Sequence, residues 1–389
     1  MRTLLVLGNG FDRWCHLPSS YNDFFTYEEL NNTNYALFEK NFALLKSDYD
    51  KGSFLTYKSA TTLPRFGQGF TPWDAMFILL HLHEGWGNET IKWCDVEEEM
   101  YLSLQAGSGT ATAKFLWERV LNTMNRLLPL QYRKWDNINL DWYDMTSLVA
   151  AEIILSPYFS NLANLKERDF YAFLLKQLRD FENRFSSYIF QHSYKNEDYQ
   201  NRANILFEKL ISFVPGTDLD RSAIDVASFN YSLPNLPAKN VYHINGSVRS
   251  NPVFGIGNGP VVESADIFRK SERRFEIEQT GLGLLDLDYS FADPANIVIF
   301  GHSLNPQDYP FFFSLFDSIA LAGGISTIKG VIVFAYAHYS RDPGREDSER
   351  FDSKKLLLQT YFSERKITDP KMIHNLNKSA YLPNYEVTE

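Results

Sequence analysis

Gly8-Asn9-Gly10-Phe11-Asp12 follows directly on an apolar run over residues 3–7. A loop leaving a strand needs small residues if phosphate oxygens are to reach its backbone N–H groups, and Gly8 and Gly10 meet that need. Asn9 and Phe11 belong to the same loop. Gly-Asn-Gly is also ordinary turn chemistry, so a simple tight turn is the competing reading. Asp12 would be repelled by phosphate; its carboxylate suits a ribose hydroxyl, a water, or the offset of positive charge. Arg13 stands where a G-x-G-x-x-G motif has its third glycine, and no acidic residue marks a second strand end. The dehydrogenase pattern is therefore absent.

Three later stretches carry similar chemistry. Ser228-Phe229-Asn230-Tyr231 ends an apolar run, and an amide there can hold ribose hydroxyls or a water, or close an Asx turn. In Val241-Tyr242-His243-Ile244-Asn245-Gly246 the strand period puts His243 and Asn245 on one face, and Gly246 lets a ligand or backbone come close. Ile299-Phe300-Gly301-His302-Ser303-Leu304, with Asp308 beyond, has the outline of a nucleophile elbow, but G-x-S-x-G fails at Asn305. Gly301, His302 and Ser303 are read instead as a second small-residue loop beside a nucleotide. Arg269, Lys270, Arg273 and Arg274 form a basic cluster, read as a solvated helix face. His81 and His83 fall within helical periodicity, where i and i+2 diverge, so they are read as packing residues and no metal is expected.

The elements that must position these residues follow from hydrophobic pattern. Residues 3–7 read as a strand buried on both faces, as in a parallel sheet. A helix begins near Tyr21 with Ser19 or Ser20 as cap. Long amphipathic stretches follow at 35–49, 72–85, 95–106, 113–128, 141–155 and 166–191. Strand patterns return at 224–229, 241–244, 253–256, 297–300 and 331–336. A helix over 308–321 links the last two, and another covers about 348–362. The fold expected is α/β, a Rossmann-like, mostly parallel sheet with a large helical insertion. Its divisions are a nucleotide-binding core at 1–30 and 215–340, the insertion at 31–214, and a C-terminal extension at 341–389. Ligands in such sheets sit outside the carboxyl ends of the strands, where the motifs fall.

Composition narrows the rest. The 389 residues carry a net charge of -10, which argues against broad contact with nucleic acid. Aromatic residues make up 15%, with 31 Phe, 22 Tyr and 7 Trp, and suggest helices packed through rings. Two cysteines imply no disulfide framework and no zinc ribbon. The first apolar run is too short for a secretory signal, and none approaches the roughly 20 residues of a membrane helix. A cytoplasmic protein is expected.

Taken together, these stretches resemble the AbiH-type phage abortive-infection family. The resemblance rests on Gly8 to Asp12, then Leu17-Pro18-Ser19-Ser20-Tyr21, Trp93-Cys94-Asp95-Val96-Glu97, Phe229-Asn230-Tyr231, His243 to Gly246, and Gly301 to Leu304 followed by Asp308. More distantly the order is similar to sirtuin-like NAD-binding domains. That similarity implies Gly8, Asn9, Gly10 and Asp12 beside a nucleotide and Asn230 beside the nicotinamide ribose. Where those domains have His directly before Gly, this chain has Asn245, with His243 two residues earlier, so protein deacylation is not expected. The expected function is an anti-phage effector that binds NAD or a related nucleotide and hydrolyses it, with Asn230, His243 and Asp12 as the catalytic set. The alternative is a non-catalytic nucleotide sensor that recognises a phage or host protein. A phage or host trigger and a homo-oligomer both stay open as partners; membrane is not expected.

Overall fold

The computed structural model describes residues 2–50, 69–85, 96–105, 116–127, 165–214, 221–249, 252–257, 259–278, 295–319, 331–339, 343–367 and 384–388. In chain order the elements are β1 (Arg2–Leu7), α1 (Gly10–Trp14), α2 (Tyr21–Asn31), α3 (Thr33–Asp50), α4 (Pro72–Gly85), α5 (Val96–Ser103), α6 (Trp117–Leu127), α7 (Glu167–Ser193) and α8 (Glu197–Ser212). They continue with β2 (Ile224–Ser228), β3 (Asn240–His243), α9 (Lys270–Glu278), β4 (Ala295–Phe300), α10 (Tyr309–Ser318), β5 (Ile332–Tyr336), α11 (Pro343–Glu364) and β6 (Asn384–Glu386). The expected helix at 141–155 and the Trp93-Cys94-Asp95 segment lie outside the described residues, as do the side chains of His81 and His83. Among the described residues no helix is long and apolar enough to cross a membrane.

The chain divides into two compact units. The first comprises Met1–Ser20, Ser186–Val253 and Arg274–Glu389 and holds the sheet. Its strands are all parallel, in the order β3-β2-β1-β4-β5-β6. This is an α/β Rossmann-like sheet, with the strand order of doubly wound nucleotide-binding folds. The continuous apolar character of β1 has a direct cause, because both of its faces are covered. Leu4 and Val6 pack with Ile297, Ile299, Phe312, Phe316 and Tyr361. Leu5 and Leu7 pack with Phe11, Trp14, Leu206, Phe207 and Leu210. So α1 and α8 cover one face, and α10 and α11 the other. β1 and β4 are neighbours, yet they send the chain to opposite faces: α1 follows β1 and α10 follows β4. The switch point of the sheet therefore lies between them.

Residues Tyr21–Phe185 and Phe254–Arg273 make the second unit, which is helical. Its interior is aromatic, as composition suggests. Phe24 meets Phe181 and Phe185 edge-on at 5.6 and 5.2 Å, and Trp73 meets Trp117 and Phe268 at 5.4 and 5.5 Å. Such edge-to-face pairs add about 1 kcal/mol each beyond burial.

Two expectations fail here. Residues 253–256 form no strand; Ile256 makes only an isolated bridge with Arg269. The backbone donors that a ladder would use go elsewhere. The Phe254 N–H donates to the Glu182 carboxylate at 2.7 Å, and the Gly255 N–H to Glu97 at 3.2 Å. Nor is the basic cluster a solvated face. Arg273 is 2% exposed and pairs with Glu182, its Nη2 at 2.9 Å from Oε2. Lys270 is 3% exposed and pairs with Glu97 at 2.7 Å. Arg269 binds Asp266 at 2.7 Å and the Gly257 carbonyl. A buried cation is tolerated only with such partners, and the two glutamates supply them. Burial pushes the Glu182 carboxyl up, and the Arg273 guanidinium opposes that shift.

Candidate functional site

The parallel register brings the motifs to one level. His243, Ser228, Leu7, Phe300 and Ala335 are consecutive partners across β3, β2, β1, β4 and β5. Gly8, Asn230, Asn245 and Gly301 all come one or two residues beyond that row. The loops after β1 and β4 meet at the switch point. Gly8 N–H donates to the Phe300 carbonyl at 2.9 Å, and Gly10 N–H to the Gly301 carbonyl at 2.8 Å. A Cβ on Gly8 would lie 2.5 Å from the His302 Cα, and one on Gly10 2.5 Å from the Gly301 Cα. The glycines thus serve first to let two backbones touch. Phe11 N–H is also used, donating to the Gly8 carbonyl at 2.9 Å, and its ring is fully buried against the sheet. Asn9 and Ser303 are the exposed side chains of the two loops.

Asn230 reaches back from β2 to the first loop. Its Nδ2 donates to the Gly8 carbonyl at 3.0 Å. A carbonyl can only accept, so this contact fixes which end of the amide is nitrogen. Oδ1 is left as an acceptor with no hydrogen bond among the described residues. The turn itself is made by Ser228, whose hydroxyl accepts the Asn230 N–H at 3.1 Å.

β3 ends at His243, so the strand period does not extend to Asn245. Gly246, at φ 76°, closes a turn by donating its N–H to the His243 carbonyl at 3.2 Å. Asn245 is 6% exposed, and its Oδ1 accepts from Arg274 Nη2 at 2.8 Å. The His243 Nδ1 lies 3.4 Å from the Asn230 carbonyl oxygen, so Nδ1 carries the hydrogen and Nε2 the lone pair. Burial holds the His243 imidazolium pKa below its usual value.

Asp12 points inward. It is 1% exposed, and its Oδ1 accepts the Tyr199 and Ser232 hydroxyls, each at 2.8 Å. The nearby Ser19 hydroxyl donates to Asn9 Oδ1 at 2.7 Å. Burial outweighs the Tyr199 and Ser232 donors and pushes the Asp12 pKa up to about 6. Nearby Cys15 is buried and free, its thiol pushed up by the same cause.

His302 is enclosed as well. Its Nδ1 accepts the Leu304 N–H at 2.9 Å, its Nε2 lies 3.6 Å from Asp308, and its ring packs edge-on against Phe229 and Phe312. With both nitrogens engaged it braces the second loop. Among the described residues no group of three or more His, Cys, Asp or Glu could hold a metal ion.

A sequence model of the family described as "Bacteriophage abortive infection AbiH" matches residues 4–328. This chain belongs to the AbiH family. The match spans every element from β1 through α10, and membership assigns a role in phage abortive infection. Comparison with curated proteins and with solved structures gives no match.

In this AbiH protein three residues of the site escape sequence reasoning. Tyr199 and Ser232 hold Asp12, and Tyr339 donates its hydroxyl to the Gly10 carbonyl at 2.5 Å. They lie 187, 220 and 329 residues from their partners, and isolated Tyr and Ser residues carry no pattern that would mark them.

Proposed function

We propose that this AbiH protein binds NAD or a related nucleotide across the carboxyl edge of its sheet and hydrolyses the nicotinamide–ribose bond. The observation that carries the reading is the meeting of the two glycine loops at the switch point between β1 and β4. Open α/β sheets take their ligands at that point. β3 stands two strands from β1, about 10 Å away. A dinucleotide lying across the strand ends has that reach.

Each role follows from an atom left available. Asn9 and Ser303 offer polar groups to the ligand. Asn230 Oδ1 accepts from a ribose hydroxyl or from the attacking water. His243, kept neutral by burial, takes the proton on Nε2. Water oxygen bonds to the ribose anomeric carbon while the bond to nicotinamide breaks. The electron pair goes to the ring nitrogen, and nicotinamide leaves neutral. The water's proton passes to His243 and then to solvent, leaving ADP-ribose.

The test is chromatography of nucleotides after incubating purified protein with NAD, with and without phage lysate. The expected result is nicotinamide and ADP-ribose, lost in His243→Gln and Asn230→Ala. Because the His243 pKa lies below 6.5, kcat/KM rises with pH on the acid side of that value and is flat by neutral pH. Turnover by His243→Gln equal to wild type sinks the base assignment. One observation favours a sensor instead: Asp12 is closed off by the protein's own hydroxyls and offers no charge to a ribosyl cation. NAD released unaltered from the protein supports that second reading.

A further inference from the structure

We infer that Arg13, laid on the Tyr339 ring beside the first glycine loop, is the residue that recognises the phosphate of the bound nucleotide. This inference rests on the nucleotide reading above. Arg13 occupies the place of the missing third glycine, and it is exposed at the end of α1. Its guanidinium carbon lies 4.5 Å from the Tyr339 ring centroid. Tyr339 is in turn fixed, because its hydroxyl donates to the carbonyl of Gly10, inside the same loop. Two contacts therefore tie a cation to the loop from a segment just beyond β5.

An exposed arginine loses rotamer freedom when it is held in one place, and stacking on the ring returns only part of that loss. Arg13 makes no ion pair among the described residues, whereas Arg273 has Glu182, Arg269 has Asp266, and Arg365 has Asp317. The protein as a whole is acidic, at -10, so a cation that is oriented yet has no ion pair among the described residues stands out. The backbone N–H groups of Gly8, Gly10 and Phe11 are already donated within the protein. With those three donors taken, a side-chain cation beside the loop strengthens the hold on a phosphate there. Stacking on tyrosine leaves the guanidinium edge free to donate to phosphate oxygens.

The measurement is calorimetric affinity for ADP-ribose and for adenosine, at low and high salt, with wild type, Arg13→Gln and Tyr339→Phe. Loss of one charge-assisted contact weakens ADP-ribose binding about tenfold in Arg13→Gln. Adenosine affinity stays unchanged, and the salt dependence of ADP-ribose binding flattens. Tyr339→Phe keeps the ring but frees it from Gly10, and it gives a smaller loss with the same ligand preference. Equal effects on both ligands, or no effect on either, overturn the inference and leave nucleotide binding standing. Failure of wild type to bind either ligand overturns both readings together.

Discussion

Asp12 shows how a residue can sit in a functional motif and still belong to the interior. Its carboxylate was expected near the ligand, and the structure surrounds it with Tyr199, Ser232 and Ser19. A carboxyl pushed up to about 6 binds its proton more readily in the folded chain than in the unfolded one, where the value is 3.8. Its contribution to stability is therefore full below about pH 4 and is lost as pH rises through 6. The difference amounts to about 3 kcal/mol. Asp12→Asn removes that dependence, since the surrounding hydroxyls can reverse their donation to suit an amide. Denaturation of both proteins from pH 4 to 7 should show the variant gaining on wild type by most of that amount, about 2 kcal/mol; parallel curves would refute it. Asn230 was more legible. An amide at a strand end was expected to bind ribose or close a turn, and the turn is made by Ser228 instead. The amide clamps Gly8 and keeps one acceptor spare.

At the scale of elements, the strands that carry the sheet were readable because burial on both faces leaves an unbroken apolar run. β1, β2, β4 and β5 all show it. Residues 253–256 show the same pattern for a different reason, since all four are buried while the N–H groups of Phe254 and Gly255 go to glutamates and that of Val253 to the Asn245 carbonyl. Apolar pattern reports burial and cannot tell a ladder from side-chain acceptors. β6 was missed because a three-residue edge strand, Asn-Tyr-Glu, has no such run. The glycine loops were seen, but their purpose was only half read. Phosphate access and backbone contact both call for glycine, and here the contact is on view. Gly8→Ala forces a methyl group to 2.5 Å from the His302 Cα, where only backbone could move. The expected cost is about 3 kcal/mol in urea denaturation. A variant as stable as wild type would mean that the two loops are not locked.

For the whole molecule, the strand order and the family match point the same way. A chain with the role of an AbiH protein in phage abortive infection carries a Rossmann-like sheet whose motifs gather at one edge. The order β3-β2-β1-β4-β5-β6 could not be read from sequence, because β1 pairs with strands more than 200 residues away on both sides. Separation along the chain hides which strands are neighbours, although local pattern shows that they are strands. The central claim is that a nucleotide lies over the loops after β1 and β4. Diffraction from crystals grown with ADP-ribose tests it most directly. The account predicts ligand density within hydrogen-bond reach of Asn9, Ser303 and Asn230 Oδ1, with a phosphate against Arg13; density at any other place on the sheet unit, or none at saturating ligand, would contradict it.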